Sequence, residues 1–149
     1  ALASTLAREH LFQQVQEALS ETELLYEAGS ALNIATSYDD ILDVMRQKTI
    51  LGENAAHVSI QLYNRPWTDE QLPEWGEVVA RWSTLSEEQL FRRYRQKSFP
   101  TLIEVLSRDT LTVIRDLEDD PRVGEQVRAL FFGRIGARSA IFVPLLVGG

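Results

Sequence analysis

The residues with chemistry to offer are few. His10 and His57 are the only imidazoles in 149 residues, and there is no cysteine. Two histidines without a His-x-x-x-His spacing and without thiolates do not make a zinc or haem site, which needs several convergent nitrogen or sulfur ligands. The missing thiol also removes disulfides, cysteine nucleophiles and thioether-linked chromophores. The run Glu118-Asp119-Asp120 offers hard oxygen ligands to a cation. Carboxylates ahead of a helix are also what the positive end of its dipole favours, and that is the role expected here. Arg92, Arg93, Arg95 and Lys97 could meet a phosphate, but directly after Glu87 and Glu88 they read as the solvated face of a helix. Gly133, Gly136, Gly148 and Gly149 are spaced as helix ends and turns, not as a phosphate loop, and no Gly-x-Ser-x-Gly elbow occurs. No catalytic constellation emerges. The chain is expected not to be an enzyme and to hold no metal and no cofactor.

Composition narrows the class further. A length of 149 residues suits one domain with a real core, and 44% hydrophobic with 25% charged residues is ordinary for a globular protein. The net charge of −7 argues against nucleic acid, whose phosphates call for a clustered basic surface. No apolar run approaches the roughly 20 residues of a membrane span, and no signal-peptide pattern opens the chain. A cytoplasmic location is therefore expected. The first residue is Ala1 rather than Met, and the chain is expected to be a piece of something longer.

The elements that must position these residues follow from periodicity. From about Ser4 to Leu32 there is no proline and only Gly29. Leu11, Val15, Ala18, Thr22, Leu25, Gly29 and Leu32 recur at alternating spacings of four and three, the seam of a coiled coil. Phe12, Leu19 and Tyr26 widen that face. The seam serves either a second copy of the chain or the helix's own domain. Ser37 with Asp39 or Asp40 caps a second helix, about Asp39 to Leu51, with Ile41, Leu42, Met45 and Thr49 inward and Gly52 as its stop. Val58, Ile60 and Leu62 then alternate with Ser59, Gln61 and Tyr63 as a half-buried strand. Asn64 to Trp75, with Pro66 and Pro73, is a loop, and Val78 to Ser83 returns as an antiparallel partner. Ser86-Glu87-Glu88-Gln89 suggests a capping box for a helix from Leu85 to Gln96. A short helix over about Pro100 to Ser107, a strand over Leu111 to Ile114, a helix from Pro121 to Arg134 and an apolar strand from Ser139 to Val147 complete the order. That order predicts an α+β domain: an antiparallel sheet flanked by helices, with a long N-terminal helix.

Three stretches resemble the GAF family of regulatory domains. Leu24-Leu25-Tyr26-Glu27-Ala28-Gly29-Ser30-Ala31-Leu32-Asn33, followed by Asp39-Asp40-Ile41-Leu42, is similar to the helix–turn–helix with which many GAF domains of bacterial sensors begin. Thr110 to Leu117 with Asp120-Pro121-Arg122 is the second stretch. Ile135 to Leu145, ending in Val143-Pro144-Leu145, is similar to the family's Val-Pro-Leu strand. The resemblance covers about residues 20 to 149. It implies a boundary between a signalling helix, residues 1–36, and a GAF domain, residues 37–149, which lacks the family's last strand and exit helix. The strand from Ser139 would then show an open edge. The family's cyclic-nucleotide signature and its bilin-binding or catalytic cysteines are absent.

What the resemblance implies for function is a sensory regulatory domain of a bacterial signalling protein such as a histidine kinase in a two-component system. It would bind an unknown small molecule and relay to an output domain. The alternative is a ligand-free dimerisation and relay module. A ligand pocket would lie between sheet and helices. Its walls would be Ile60, Leu62, Val79, Ile114, Val127, Phe131 and Phe142, with Arg81 and Asp116 as polar contacts. The plain reading makes the apolar members core and Asp116 a turn cap. Homodimerisation is expected through Leu11, Val15, Ala18, Thr22, Leu25 and Leu32.

Overall fold

The computed structural model describes residues 2–49, 53–86, 90–99, 102, 106 and 110–145. The chain divides into two compact units, Ala1–Ala55 and Ala56–Gly149. The expected boundary at residue 36 falls inside the first of these.

The first unit is helical. Helix α1, Leu2–Ile34, has 33 residues, about 50 Å at 1.5 Å per residue. Helix α2, Tyr38–Lys48, begins at a reciprocal capping box: the Ser37 hydroxyl accepts from Asp40 N–H, and the Asp40 carboxylate accepts from Ser37 N–H. The Thr36 amide also donates to Asp40, and these hydrogen bonds hold its carboxyl below the usual aspartate value. The helix stops at Lys48, before the expected Leu51. Thr49 turns extended and sends its hydroxyl back to the Met45 carbonyl; Gly52 lies outside the described residues. The two helices pack on each other with Ala28 and Leu42 as their buried residues, and Lys48 pairs with Glu27 at 3.9 Å. The seam side chains of α1 stay exposed, Leu11 at 61% and Leu25 at 73%.

The second unit is mixed helix and antiparallel sheet, the α+β class. Strands β1 (His57–Tyr63), β2 (Trp75–Ser83) and β3 (Arg93–Arg95) form one sheet in the order β1-β2-β3. Strands β4 (Thr112–Ile114) and β5 (Ala140–Phe142) form a second, two-stranded sheet. The β1–β2 hairpin is closed by Asn64, whose side chain accepts from the amides of Glu74 and Trp75 and whose own N–H donates to Trp75. Strand β2 therefore starts at Trp75, three residues before its expected start. Ile60 pairs with Ala80 but Gln61 pairs with Val78, so β2 carries a bulge at Val79.

The expected helix over Leu85–Gln96 is replaced where it is described. Arg93–Arg95 is a strand, and only Gln96–Ser98 forms a 3-10 turn. Alternation decides it: Tyr94 is buried and Arg93 and Arg95 are exposed. Gly76 opposite makes room, since a Cβ there would stand 2.5 Å from the Tyr94 ring. Residues 87–89 of the presumed capping box lie outside the described residues. Most of the Pro100–Ser107 helix does too, although Leu102 is helical and accepts from Leu106 N–H.

The last helix begins at Glu125, not Pro121. Helix α3 is the single turn Glu125–Arg128, and it widens into a π-helical segment, Ala129–Arg134, ended by Gly136 at φ +75°. The residues before it form a turn: the Asp116 carboxylate accepts from the amides of Glu118 and Asp119, and Asp120 N–H donates to the Asp116 carbonyl. The acidic run thus sits in that turn and not at the helix start. Of the expected Ser139–Val147 strand, Ala140–Phe142 pairs with β4, and residues 146–149 lie outside the described residues. The core is Leu102, Ile114, Leu117, Val123 and Val127, with Leu117 wholly buried. Burial of each such side chain is worth roughly 1.5–3 kcal/mol.

Gly76→Ala should lower stability by about 1–3 kcal/mol, because the added methyl overlaps the Tyr94 ring in a packed strand pair. Gly133→Ala, which meets only a carbonyl at 3.9 Å, should be neutral or stabilise by up to about 1 kcal/mol. Urea unfolding midpoints measure both.

Candidate functional site

The bulge at Val79 shapes the site. Ser59 and Gln61 are two apart on β1 and share a face, so their partners Arg81 and Val78 share it too, although these are three positions apart. His57 lies on the same face of β1. His57, Gln61, Val78 and Arg81 line a cavity of about 40 Å³. Phe91, Tyr94 and Phe99 close it from the sheet's edge, and Leu130, Phe131 and Ile135 supply the helical wall. The volume exceeds the roughly 10–15 Å³ that one water requires and falls far below the few hundred Å³ of a drug-sized pocket.

Aromatic packing holds the edge wall in place. Tyr94 and Phe99 meet edge-on at 5.6 Å, and Phe91 lies 5.7 Å from each. The Tyr94 hydroxyl donates to Gln61 Oε1, and Gln61 Nε2 reaches Ser59 Oγ at 3.4 Å. Burial raises the phenol of Tyr63 above the usual tyrosine value and pushes that of Tyr94 well above it, and the neighbouring Tyr63 adds to the shift at Tyr94. The buried Gln96 amide lies beside the Tyr63 phenol, and neither its nitrogen nor its oxygen completes a hydrogen bond.

Two nitrogenous side chains give the cavity its electrostatics. Arg81 Nη1 donates to the Phe91 carbonyl at 2.9 Å, which fixes the guanidinium. His57 is half-buried, and its Nδ1 has no hydrogen-bond partner. Burial first, and then the Arg81 charge, lower its pKa below the usual histidine value, so the neutral imidazole is the favoured form.

The residues expected around a pocket are dispersed over three places. Arg81 and Phe131 line the cavity. Ile114 and Val127 are core, 1% and 2% exposed, and Phe142 packs edge-on against Phe131 at 5.9 Å. Asp116 is exposed and caps its turn. Ile60 and Leu62 belong to the other face of β1, and the bulge puts Val78 where Val79 was expected. His57, Gln61 and Tyr94 carry no signal in the pattern, since Gln61 and Tyr63 read as the solvent face. The dimerisation set Leu11, Val15, Ala18, Thr22, Leu25 and Leu32 lies on α1, where Thr22 Oγ1 donates to the Ala18 carbonyl.

The basic stretch is not a helix face. Arg93 and Arg95 stand on one side of β3 over the Trp75 indole, 5.4 and 4.7 Å from its centroid, within cation–π range. Arg128 works at the opposite wall: its guanidinium donates to the carbonyls of Leu117, Asp120 and Val123. Arg122 clasps Asp120 and holds its carboxyl low. Among the described residues no group of three His, Cys, Asp or Glu is placed to hold a metal ion, and no helix is long and apolar enough to cross a membrane.

Because the folded chain favours neutral His57, the unfolded chain binds that proton more tightly. The stability tied to His57 is complete above about pH 6.5 and is lost as pH falls from there through the lower folded-state value. The melting temperature should drop between about pH 7.5 and about pH 5.5, and His57→Gln should flatten that drop. Arg128→Leu should cost about 2 kcal/mol by taking the guanidinium donor from the carbonyls of Leu117 and Val123, while the Asp120 carbonyl keeps the Val123 N–H, seen as a lower urea midpoint.

No protein-family model, no curated protein and no solved structure matches this chain.

Proposed function

We propose that the chain is a GAF-type regulatory module of a bacterial signalling protein such as a histidine kinase, acting through self-association and relay along α1. The observation that carries this reading is the exposed seam. Leu11, Val15 and Leu25 repeat at coiled-coil spacing over a 33-residue helix and stand 49–73% exposed. A row of large apolar side chains left in water favours association with a matching row, and a second copy supplies one. Ala18 and Thr22 in the middle of the seam are small, which suits close helix approach and two registers of similar stability. Such a bistable element can pass a bias to an output domain.

A second reading, the small-molecule sensor, is favoured by the cavity that Arg81 and Phe131 line. In that case an occupant shifts the relay only by binding one of its two arrangements better than the other.

Leu25→Asp should convert dimer to monomer in sedimentation at micromolar concentrations while leaving the far-ultraviolet spectrum unchanged, since it sets a charge in the helix interface. A variant that stays fully dimeric would sink the relay reading.

A further inference from the structure

The outer rim of β3 carries two arginines without carboxylate partners among the described residues. Arg93 and Arg95 project side by side from its exposed face, their guanidinium groups over Trp75 at 5.4 and 4.7 Å from the ring centroid. Neither makes an ion pair or a side-chain hydrogen bond there. Glu77 stands opposite Arg93 in the register without closing an ion pair, and Arg95 stands opposite the neutral Trp75. A guanidinium resting on an indole keeps its N–H edge for other partners.

The backbone of the same strand is also available. Val78 N–H donates to the Arg92 carbonyl and Gln96 N–H to the Glu74 carbonyl, so residues 92, 94 and 96 face β2. Alternation turns the N–H and C=O groups of Arg93 and Arg95 away from it. Strand β3 is the last of its sheet, and on that side these two residues make no backbone bond among the described residues.

We propose that β3 is a docking strand for an acidic, extended segment of a partner protein, which adds to the sheet with carboxylates at alternate positions beside Arg93 and Arg95. The spacing fits. Residues i and i+2 of a strand lie about 6.6 Å apart in partner and host alike, so two carboxylates meet two guanidiniums in one register. Both acidic residues then fall in hydrogen-bonded pairs with the arginines. Backbone bonds supply the adhesion and charge-assisted side-chain bonds the selectivity. Arginines already held on an indole lose less freedom on docking.

Charge decides against other occupants. A second β3 would set arginine against arginine across the strand pair, which is destabilising. A single-stranded nucleic acid would stack bases on an aromatic face, and here the arginines cover the indole. The net charge of −7 repels phosphates besides. The strand lies wholly in the second unit, so docking does not require self-association through α1.

The test is an NMR titration of the full chain, near neutral pH and at low salt, with the peptide acetyl-Thr-Glu-Val-Glu-Val-Thr-amide. The controls are the same peptide with glutamine for both glutamates, the glutamate peptide N-methylated at both glutamates, and oligothymidylate. Binding should saturate with a Kd of about 10⁻⁴ M, with downfield shifts and slowed solvent exchange at the Arg93 and Arg95 amides. The glutamine peptide should bind at least about tenfold more weakly. The N-methylated peptide cannot donate to the strand and should leave both amides unprotected. Salt should weaken binding several-fold between about 0.05 and about 0.3 M. Arg95→Gln should weaken it about threefold, and the double variant R93Q/R95Q at least about tenfold, with the amide spectrum elsewhere in place. Equal binding of the glutamate and glutamine peptides overturns the proposal, as does the absence of binding at millimolar peptide or binding that leaves the Arg93 and Arg95 amides unmoved. Saturable binding of oligothymidylate at these amides overturns it in favour of nucleic acid. Protection of the same amides that grows with the concentration of the free chain overturns it in favour of a second copy. The comparison on the unmodified chain decides without any variant.

Discussion

The ring of Tyr94 occupies the space that a side chain on residue 76 would fill, and much of the second unit depends on that contact. Glycine at 76 lets β3 lie flat against β2 with Tyr94 turned inward. Once inward, the phenol meets Gln61 across the sheet, and its ring packs edge-on against Phe99 and tilted against Phe91. The same alternation sends Arg93 and Arg95 outward onto Trp75. A three-residue strand with two exposed arginines has little stability of its own, so the aromatic cluster behind it is what keeps the sheet's edge closed.

The facing wall is held by a different device. Leu117 is fully buried, and its N–H donates to the Arg138 carbonyl ahead of β5. Arg128 then gathers the carbonyls of Leu117, Asp120 and Val123. A charged donor serving backbone acceptors makes an irregular segment rigid without further regular structure. The turn, helix α3 and the chain entering β5 are thus tied together by the Leu117 amide and the Arg128 guanidinium.

Much of this was legible in advance where a single period ran undisturbed. The heptads of α1, the capping residues of α2 and the apolar runs of β1, β2, β4 and β5 each announce their element, and together they predict the α+β class. The pattern failed where tertiary contact overrode it. Arg92-Arg93-Tyr94-Arg95 looks helical beside two glutamates, and only the distant Gly76 reveals the strand. The bulge at Val79 has no mark in the sequence, yet it reverses which residues of β2 share a face with Arg81. Hence the expected set shares Arg81 and Phe131 with the cavity lining and omits His57 and Tyr94. Asp116 looks like a ligand contact and is a turn cap, because aspartate serves both ends by the same hydrogen-bonding chemistry.

Both long walls of the cavity contain one residue more than a regular element would need. Strand β2 has Val79 in excess over β1, and the π-helical segment adds a residue to its turn, as the Ile135 N–H donating to the Leu130 carbonyl shows. Single-residue surpluses can be deleted while the flanking hydrogen bonds re-form. Variation in length, not only in residue type, is therefore open to this chamber. Loss of Val79 would exchange the side chains presented by half of β2, and loss of one residue from the helix would rotate its wall by about 100°. A lineage could remodel the interior in one step and keep every strand and helix it started with.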